Sequence, residues 1–215
     1  MFLHILSFVG ALGIFLYGMK IMSEGLEKTA GDRLRGVLSS MTSNRFAGVV
    51  TGMGVTAVIQ SSSATTVMVV SFVNAGLMTL RQAIGVIMGA NIGTTVTAWI
   101  VAFIGFKMDI AALSLPLMAV AAPLLFIGKG KWKNLGECII GFALLFMGLN
   151  LLSEAAEAME IGKHMGEWLT HIDVNAWWAV PLFILAGLVL TMAMQSSSAS
   201  MAITLMLFDM NIPGF

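Results

Sequence analysis

Two clusters of small polar residues interrupt long apolar stretches of this chain, at residues 60–63 and again at residues 195–198. Each cluster reads Gln-Ser-Ser-Ser, and a threonine stands four residues before each glutamine, Thr56 in the first copy and Thr191 in the second. Serines that begin a helix lie beside its free N–H groups and its positive dipole end, which attract an anion. Hydroxyl, amide and unwound carbonyl oxygens at the same point can hold Na⁺. The clusters therefore predict sites for an anion and for hard cations.

A third polar patch lies in the stretch Gly-Ala-Asn-Ile-Gly-Thr-Thr, where Asn91, Thr94 and Thr95 offer further oxygen ligands inside an apolar segment. A single serine or threonine in a membrane helix usually bonds to a carbonyl of its own helix or joins two helices. Three consecutive serines after a glutamine, occurring twice, instead favour a binding site.

The sequence does not favour enzyme or transition-metal chemistry. No His or Lys lies beside either serine cluster, as a serine nucleophile would require, and no Cys and His residues have the spacing of metal ligands. We therefore expect a protein that is not an enzyme and has no resident cofactor. A membrane enzyme whose base comes from elsewhere in the fold stays open as a minor alternative.

The composition is typical of an integral membrane protein. Of the 215 residues, 58% are hydrophobic and only 10% are charged, and the mean hydropathy is +0.94. Lys plus Arg and Asp plus Glu number 11 each, so the net charge gives no reason to expect a nucleic-acid partner. The lipid bilayer is the first predicted partner.

Apolar segments of about 20 residues are long enough to cross a bilayer as helices. The predicted spans are residues 2–22, 83–106, 110–127 and 138–152. The apolar stretch 46–80 is too long for one span and is divided by the first serine cluster. Its two limbs, 46–59 and 64–80, would each be short of a bilayer core of roughly 30 Å, so we predict a re-entrant helical hairpin.

The chain contains an internal repeat. Residues 16–27 match residues 146–157, and residues 51–64 match residues 186–199. Each copy therefore has a span, a polar segment and a hairpin with Gln-Ser-Ser-Ser. Residues 23–45 contain four Lys or Arg residues, whereas residues 153–175 contain one Lys against five Asp or Glu residues. The positive-inside rule therefore places these two segments on opposite sides of the membrane.

The predicted fold is all-α: a polytopic membrane protein with inverted-topology repeats and re-entrant helical hairpins. Residues 1–127 form the first inverted repeat, with a span, an interfacial helix, the hairpin and two spans. Residues 128–137 are a cytoplasmic connection, and residues 138–215 form an incomplete second repeat, with a span, an outer polar segment and the second hairpin. Inverted repeats with paired broken segments are typical of secondary transporters.

At these residues the sequence resembles the type II sodium-phosphate cotransporter family, in its bacterial branch. The resemblance rests on "TAVIQSSSATT", "GANIGTTVTA" and "TMAMQSSSAS" and extends over nearly the whole chain. It implies sodium-coupled import of inorganic phosphate across the cytoplasmic (inner) membrane of a bacterium, with phosphate and sodium ions as partners and Na⁺ as the coupling ion. It implies a multi-pass protein whose substrate and Na⁺ are held at the two hairpins; a homodimer stays open.

The resemblance and the chemistry above imply two sets of ligands. The expected phosphate ligands are Ser61, Ser62, Ser63, Thr65, Ser196, Ser197, Ser198 and Asn91. The expected Na⁺ ligands are Gln60, Thr56, Thr66, Thr94, Thr95, Gln195, Thr191 and Ser200. The second copy departs from the first after its alanine, with Ser200 and Met201 in place of Thr65 and Thr66, so we expect unequal ion binding at the two hairpins.

The second repeat lacks a counterpart of the Gly-Ala-Asn element, which would fall near residue 224, so we expect the chain to be truncated in that repeat. Two other functions stay open. One is a carrier for another anion, such as a dicarboxylate. The other is a non-transporting membrane scaffold or a regulator of phosphate status.

Overall fold

The computed structural model describes the backbone of residues 2–40, 44–105, 110–160 and 176–209, and all regular secondary structure in these ranges is helical. The helices are α1 (Phe2–Ser40), α2 (Arg45–Ile59), α3 (Ser62–Asn74), α4 (Leu80–Gly93), α5 (Thr95–Ile100) with a π-helical turn after it (Val101–Gly105), α6 (Ile110–Phe126), α7 (Lys131–Ala158), α8 (Ala179–Met194) and α9 (Ser197–Asp209). The predicted all-α fold is confirmed.

Within the described residues, three helical segments are long and apolar enough to cross a membrane: Phe2–Ala30, Leu80–Phe103 and Lys131–Ala158. They correspond to the predicted spans 2–22, 83–106 and 138–152, so a multi-pass membrane protein is confirmed. The fourth predicted span corresponds to α6, which has 17 residues and contains two prolines. At about 1.5 Å per residue it would cover only about 26 Å, which is short of a typical bilayer core.

The polar segment after the first span differs from the prediction. A separate interfacial helix was expected over residues 23–45, but α1 continues to Ser40 as one helix of 39 residues. A helix-stabilising i,i+4 charge pair, Lys20 with Glu24, crosses the expected boundary, and a second, Glu24 with Lys28, follows it; both favour continuation of the helix. The predicted cytoplasmic connection is also shorter, since α7 already begins at Lys131. Of the predicted outer segment 153–175, residues 161–175 lie outside the described residues.

α1 and α7 pack closely against each other and run antiparallel. A side chain at Gly18 would meet the backbone of Leu145, and one at Gly148 would meet the backbone of Phe15. Gly18 and Gly148 are equivalent positions of the repeat, as are Phe15 and Leu145, so the same contact occurs twice, related by a local twofold axis. The first helices of the two copies therefore run in opposite directions. Their orientation in a membrane, and with it the division into inverted repeats, stays a prediction.

A second close pair is formed by α2 and α4, which run parallel. A side chain at Gly52 would meet the carbonyl of Val86, and one at Gly89 would meet the carbonyl of Val49. Two buried apolar clusters surround these helix pairs, one between α1, α7 and α9, the other between the end of α1 and helices α2–α4. The breaks at residues 60–61 and 195–196 are thereby held between packed helices.

Candidate functional site

The chain turns sharply at residues 60–63, which we call the first tip. Gln60 ends α2 in the left-handed conformation, with φ 60° and ψ 21°, which few residues other than glycine adopt. Ser61 is extended and caps α3, because its Oγ accepts a hydrogen bond of 3.2 Å from the N–H of Ala64. Behind the turn, the Thr56 hydroxyl donates to the Thr65 hydroxyl at 2.9 Å. This bond joins the two limbs.

Residues 195–198, the second tip, have the same local structure. Gln195 ends α8 with φ 54° and ψ 21°, and the Ser196 hydroxyl accepts from the N–H of Ala199 at 3.2 Å. The Thr191 hydroxyl donates to the Ser200 hydroxyl at 3.1 Å, as Thr56 does to Thr65. Ser200 keeps the hydroxyl of the threonine that it replaces. The two sequence copies thus form the same turn from equivalent hydrogen bonds.

The glutamine side chains fold back on their own helices. The Gln60 amide donates to the Ala57 carbonyl at 2.5 Å, and the Gln195 amide donates to the Met192 carbonyl at 2.7 Å. The amide oxygen of Gln60 in turn accepts a hydrogen bond of 2.7 Å from the hydroxyl of Thr97, which is buried in α5. Thr97 was not among the predicted site residues, although it lies one helical turn beyond Thr94.

Both tips line one cavity of about 550 Å³, which we call the central cavity. All eight residues of the two tips line it: Gln60, Ser61, Ser62, Ser63, Gln195, Ser196, Ser197 and Ser198. The structure therefore brings together two serine clusters that are 135 residues apart in the chain. The volume of the central cavity lies in the range of small-molecule binding sites.

One face of α1 forms a further wall of the central cavity. Its residues there are Leu16, Met19, Lys20, Ser23, Glu24 and Glu27, at the i, i+3, i+4 spacing of one helix face. The Ser23 hydroxyl donates to the Ile59 carbonyl at 3.0 Å, and the Ser196 hydroxyl lies 3.7 Å from the sulfur of Met19. α1 thus contacts the chain at both tips.

The cavity wall on α1 carries charge, which neither tip does. Lys20 Nζ lies 3.9 Å from Glu24 Oε1, and Glu24 Oε2 lies 3.8 Å from Lys28 Nζ. Lys28 also forms a hydrogen-bonded ion pair of 2.8 Å with Glu137 of α7. Among the described residues that line the cavity, one lysine and two glutamates give a net formal charge of −1.

A side cavity of about 620 Å³ adjoins the first tip and follows one side of α3 as far as Ser71 and Phe72. It shares three lining residues with the central cavity, namely Glu27, Ser61 and Ser63. A carboxylate and two hydroxyls thus lie on the wall that the two cavities share.

The other predicted ligands lie away from the central cavity. Thr56, Thr65, Thr191 and Ser200 hold the limbs together behind the tips. Thr66 donates to the Ser62 carbonyl of its own helix, and Thr94 and Thr95 donate to the Ala90 and Ile92 carbonyls at the end of α4. Asn91 and Thr95 are exposed. The structure does not bring these residues to the cavity, and their predicted roles as phosphate or Na⁺ ligands stay predictions.

No group of three or more His, Cys, Asp or Glu side chains that could hold a metal ion occurs in the part of the chain that the structure describes. The polar atoms around the central cavity are instead hydroxyls, amides, two carboxylates and one ammonium group. Oxygen-rich surroundings of this kind suit an alkali cation, and the N-termini of α3 and α9 suit an oxyanion.

Comparison with known proteins gives one family. The profile of the Na⁺/Pi-cotransporter family matches residues 14–154, a range that includes most of α1, the first tip and most of α7. Along most of its length the chain is 30% identical to "Uncharacterized protein YqeW" of Bacillus subtilis (strain 168), over 214 residues, which are 99% of this chain and 66% of that relative. No solved structure matches the chain.

Two groups of named transport proteins are also similar over shorter stretches. "Putative inorganic phosphate export protein YjbB" of Escherichia coli (strain K12) is 36% identical over 155 residues, 71% of this chain and 27% of the relative. "Sodium-dependent phosphate transport protein 2B" of Homo sapiens is 41% identical over 102 residues, 46% of this chain and 15% of the relative. The chain thus spans about two thirds of the Bacillus relative and about a quarter or less of these two.

Proposed function

This chain belongs to the Na⁺/Pi-cotransporter family, and we propose on that premise that it binds inorganic phosphate together with Na⁺ in the central cavity and moves them across the membrane. The observation that carries the proposal is the convergence of both Gln-Ser-Ser-Ser tips on one cavity. Secondary transporters bind their substrates where the broken segments of two repeats meet. The antiparallel packing of the equivalent helices α1 and α7 supports such an arrangement.

Phosphate would be bound by the starts of two helices. The N-termini of α3 and α9 present free backbone N–H groups and a positive dipole end beside the serine hydroxyls of each tip. Ser62 and Ser197 are the first residues of these helices and line the cavity. Their hydroxyls can donate to phosphate oxygens while Ser61 and Ser196 cap the helices. Substrate binding thus leaves the caps intact.

Sodium would supply the charge that the cavity lacks. A net formal charge of −1 repels a phosphate dianion, so phosphate binding needs added cations. Glu24 and Glu27, with the carbonyl and hydroxyl oxygens of the tips, are ligands that Na⁺ prefers. Each ion then favours the binding of the other, by the same factor in both directions. This mutual dependence is the physical basis of cotransport.

Import follows if the Na⁺ gradient across the cytoplasmic membrane of a bacterium is directed inward. The opposite direction is a second candidate, because one similar protein is named a putative phosphate export protein. A carrier for a dicarboxylate is excluded only if succinate fails to compete with phosphate. A scaffold without transport would bind phosphate and leave it on the same side of the membrane.

The test begins with binding, because the chain spans only part of its relatives. Isothermal titration of the detergent-purified chain with phosphate should give a clear affinity in Na⁺ and a much weaker one when choline replaces Na⁺. Ser62→Ala and Ser197→Ala should each weaken binding by about 1–3 kcal/mol, through loss of one hydroxyl ligand. Ser7→Ala is the matched control, because Ser7 is an exposed residue of α1 away from the cavity. Equal phosphate affinity in both cations would refute the proposal.

Transport is measured next, after reconstitution in liposomes. Labelled phosphate should accumulate in the liposomes when a Na⁺ gradient is imposed, and its accumulation should stop when the gradient is collapsed. Accumulation from one membrane face only, with the orientation of the protein known, decides between import and export. Tight Na⁺-dependent binding with no movement of phosphate would favour the scaffold.

A further inference from the structure

One cation, Lys20, lines the central cavity among the described residues, and it belongs to α1 and not to either tip. Lys20 lies within the candidate span Phe2–Ala30. A charged side chain in a membrane helix is costly unless it faces a partner or a polar cavity, and it therefore indicates a function. The nearest candidates for that function are the two tips on the opposite walls of the same cavity.

Lys20 is loosely held. Its Nζ is 3.9 Å from Glu24 Oε1, which is too long for a hydrogen bond, and its side chain is 70% exposed. Lys28, two helical turns further on, is instead held at 2.8 Å by Glu137. Glu24 is shared between the two lysines, so Lys20 can leave it while Lys28 remains beside the carboxylate.

The second repeat provides a natural comparison, because Asn150 is equivalent to Lys20 and Glu154 to Glu24. The Asn150 amide donates to Glu154 Oε1 at 2.7 Å. The pairing at i and i+4 thus occurs in both copies, but only the first copy has a cation in it. Neither Asn150 nor Glu154 lines the central cavity. The positive charge is therefore specific to the α1 wall that faces the tips.

We propose that Lys20 is the cavity's phosphate-contacting cation, and that Glu24 holds it when no phosphate is bound. This inference rests on the proposed function. When phosphate enters, the ammonium group turns from Glu24 to the phosphate oxygens. Glu24 then lacks its countercharge inside the cavity and, with Glu27 one helical turn away on the same wall, attracts Na⁺ more strongly. Lys20 thereby links the binding of the anion to the binding of the cation.

The first experiment measures phosphate affinity at saturating Na⁺, by equilibrium dialysis of the full chain in detergent. Lys20→Asn gives α1 the residue of the second copy and should weaken binding at least tenfold, which corresponds to about 1.4 kcal/mol. Lys20→Arg keeps the charge and should stay within about threefold of the original chain. Lys133→Asn is the matched control, because Lys133 is an exposed lysine outside the cavity, and it should leave the affinity unchanged.

Glu24→Gln tests the competing partner. Removing the carboxylate charge frees Lys20, so phosphate affinity with choline in place of Na⁺, where Glu24 holds no Na⁺, should rise about threefold, as expected when an exposed ion pair is removed. A weaker affinity would show that Glu24 does not compete with phosphate and would overturn that part of the proposal.

A second measurement uses the unmodified chain, so it does not depend on the folding of a variant. Lys20 should react several-fold more slowly with an amine-specific reagent when phosphate and Na⁺ are present, as measured by mass spectrometry, while Lys133 should react at the same rate. Equal rates at Lys20, or unchanged affinity in Lys20→Asn, would overturn the inference and leave the proposed function intact. A chain that binds no phosphate in Na⁺ would overturn both.

Discussion

Thr97→Val is the sharpest test of how the first tip is held. The substitution keeps the shape of the side chain and removes the hydroxyl that donates to the Gln60 amide oxygen at 2.7 Å. Thr97 is 3% exposed, so water does not readily replace the lost donor. Leaving a partly buried acceptor without its partner costs about 1–3 kcal/mol.

The cost should appear in ligand binding, because Gln60 has a strained left-handed backbone at the cavity wall. Without the Thr97 hydroxyl, the Gln60 side chain keeps its bond to the Ala57 carbonyl as its remaining hydrogen bond among the described residues. If this free energy is lost entirely from the phosphate-bound state, phosphate affinity falls by about 5- to 150-fold, since about 1.4 kcal/mol corresponds to a tenfold change in affinity. Titration with phosphate at saturating Na⁺ measures this change.

Two matched variants isolate the hydroxyl. Thr97→Ser keeps the donor and should retain most of the affinity. Thr95→Val removes an exposed hydroxyl that bonds to the Ile92 carbonyl of the preceding helix turn, and it should change the affinity by less than about threefold. Normal phosphate affinity in a folded Thr97→Val chain would refute the idea that α5 positions the tip.

Three further predictions concern packing, topology and coupling. Gly148→Ala should lower the unfolding temperature by several degrees, because its Cβ would meet the backbone of α1, whereas Gly10→Ala, with open space around it, should not. Cysteines placed at Ala30 and Glu160, equivalent positions of the two copies, should react with a membrane-impermeant reagent from opposite sides of the membrane. If both cysteines are labelled from the same side, the inverted topology is refuted. Phosphate should tighten Na⁺ binding by the same factor by which Na⁺ tightens phosphate binding, and unequal factors in titrations of both ions would exclude a simple two-ligand coupling.

Much of the candidate site was visible in the sequence. Polar residues that interrupt apolar stretches indicated where the helices break, and the structure has those breaks at Gln60 and Gln195. The repetition of Thr-x-x-x-Gln-Ser-Ser-Ser indicated two equivalent turns, and equivalent hydrogen bonds form them. These features depend on local preferences, because a serine caps the helix that follows it and a turn is made by residues close in sequence.

The oxygen ligands predicted in the third polar patch, Gly-Ala-Asn-Ile-Gly-Thr-Thr, illustrate what neighbouring residues alone do not determine. Thr94 and Thr95 were expected near the tips, yet both donate to carbonyls one turn back along the chain. Thr97, only a few residues further, is the hydroxyl that reaches Gln60. All three are threonines in one apolar segment, and the side of the helix that faces the tip depends on how α5 packs.

The sequence by itself determined that this is an all-α membrane protein of the Na⁺/Pi-cotransporter family with two polar helix breaks. These features can be read from composition, from the length of the apolar segments and from helix-capping residues, none of which requires knowledge of distant contacts. Only the tertiary structure decided which side chains meet. Thr97 contacts a residue 37 positions away, and Ser196 lies beside Met19 across 177 positions. Lys20 lines the central cavity only because α1 packs with the face that carries Lys20 toward both tips. Such contacts depend on the close packing of glycine-rich helix faces, whose partners no local pattern specifies.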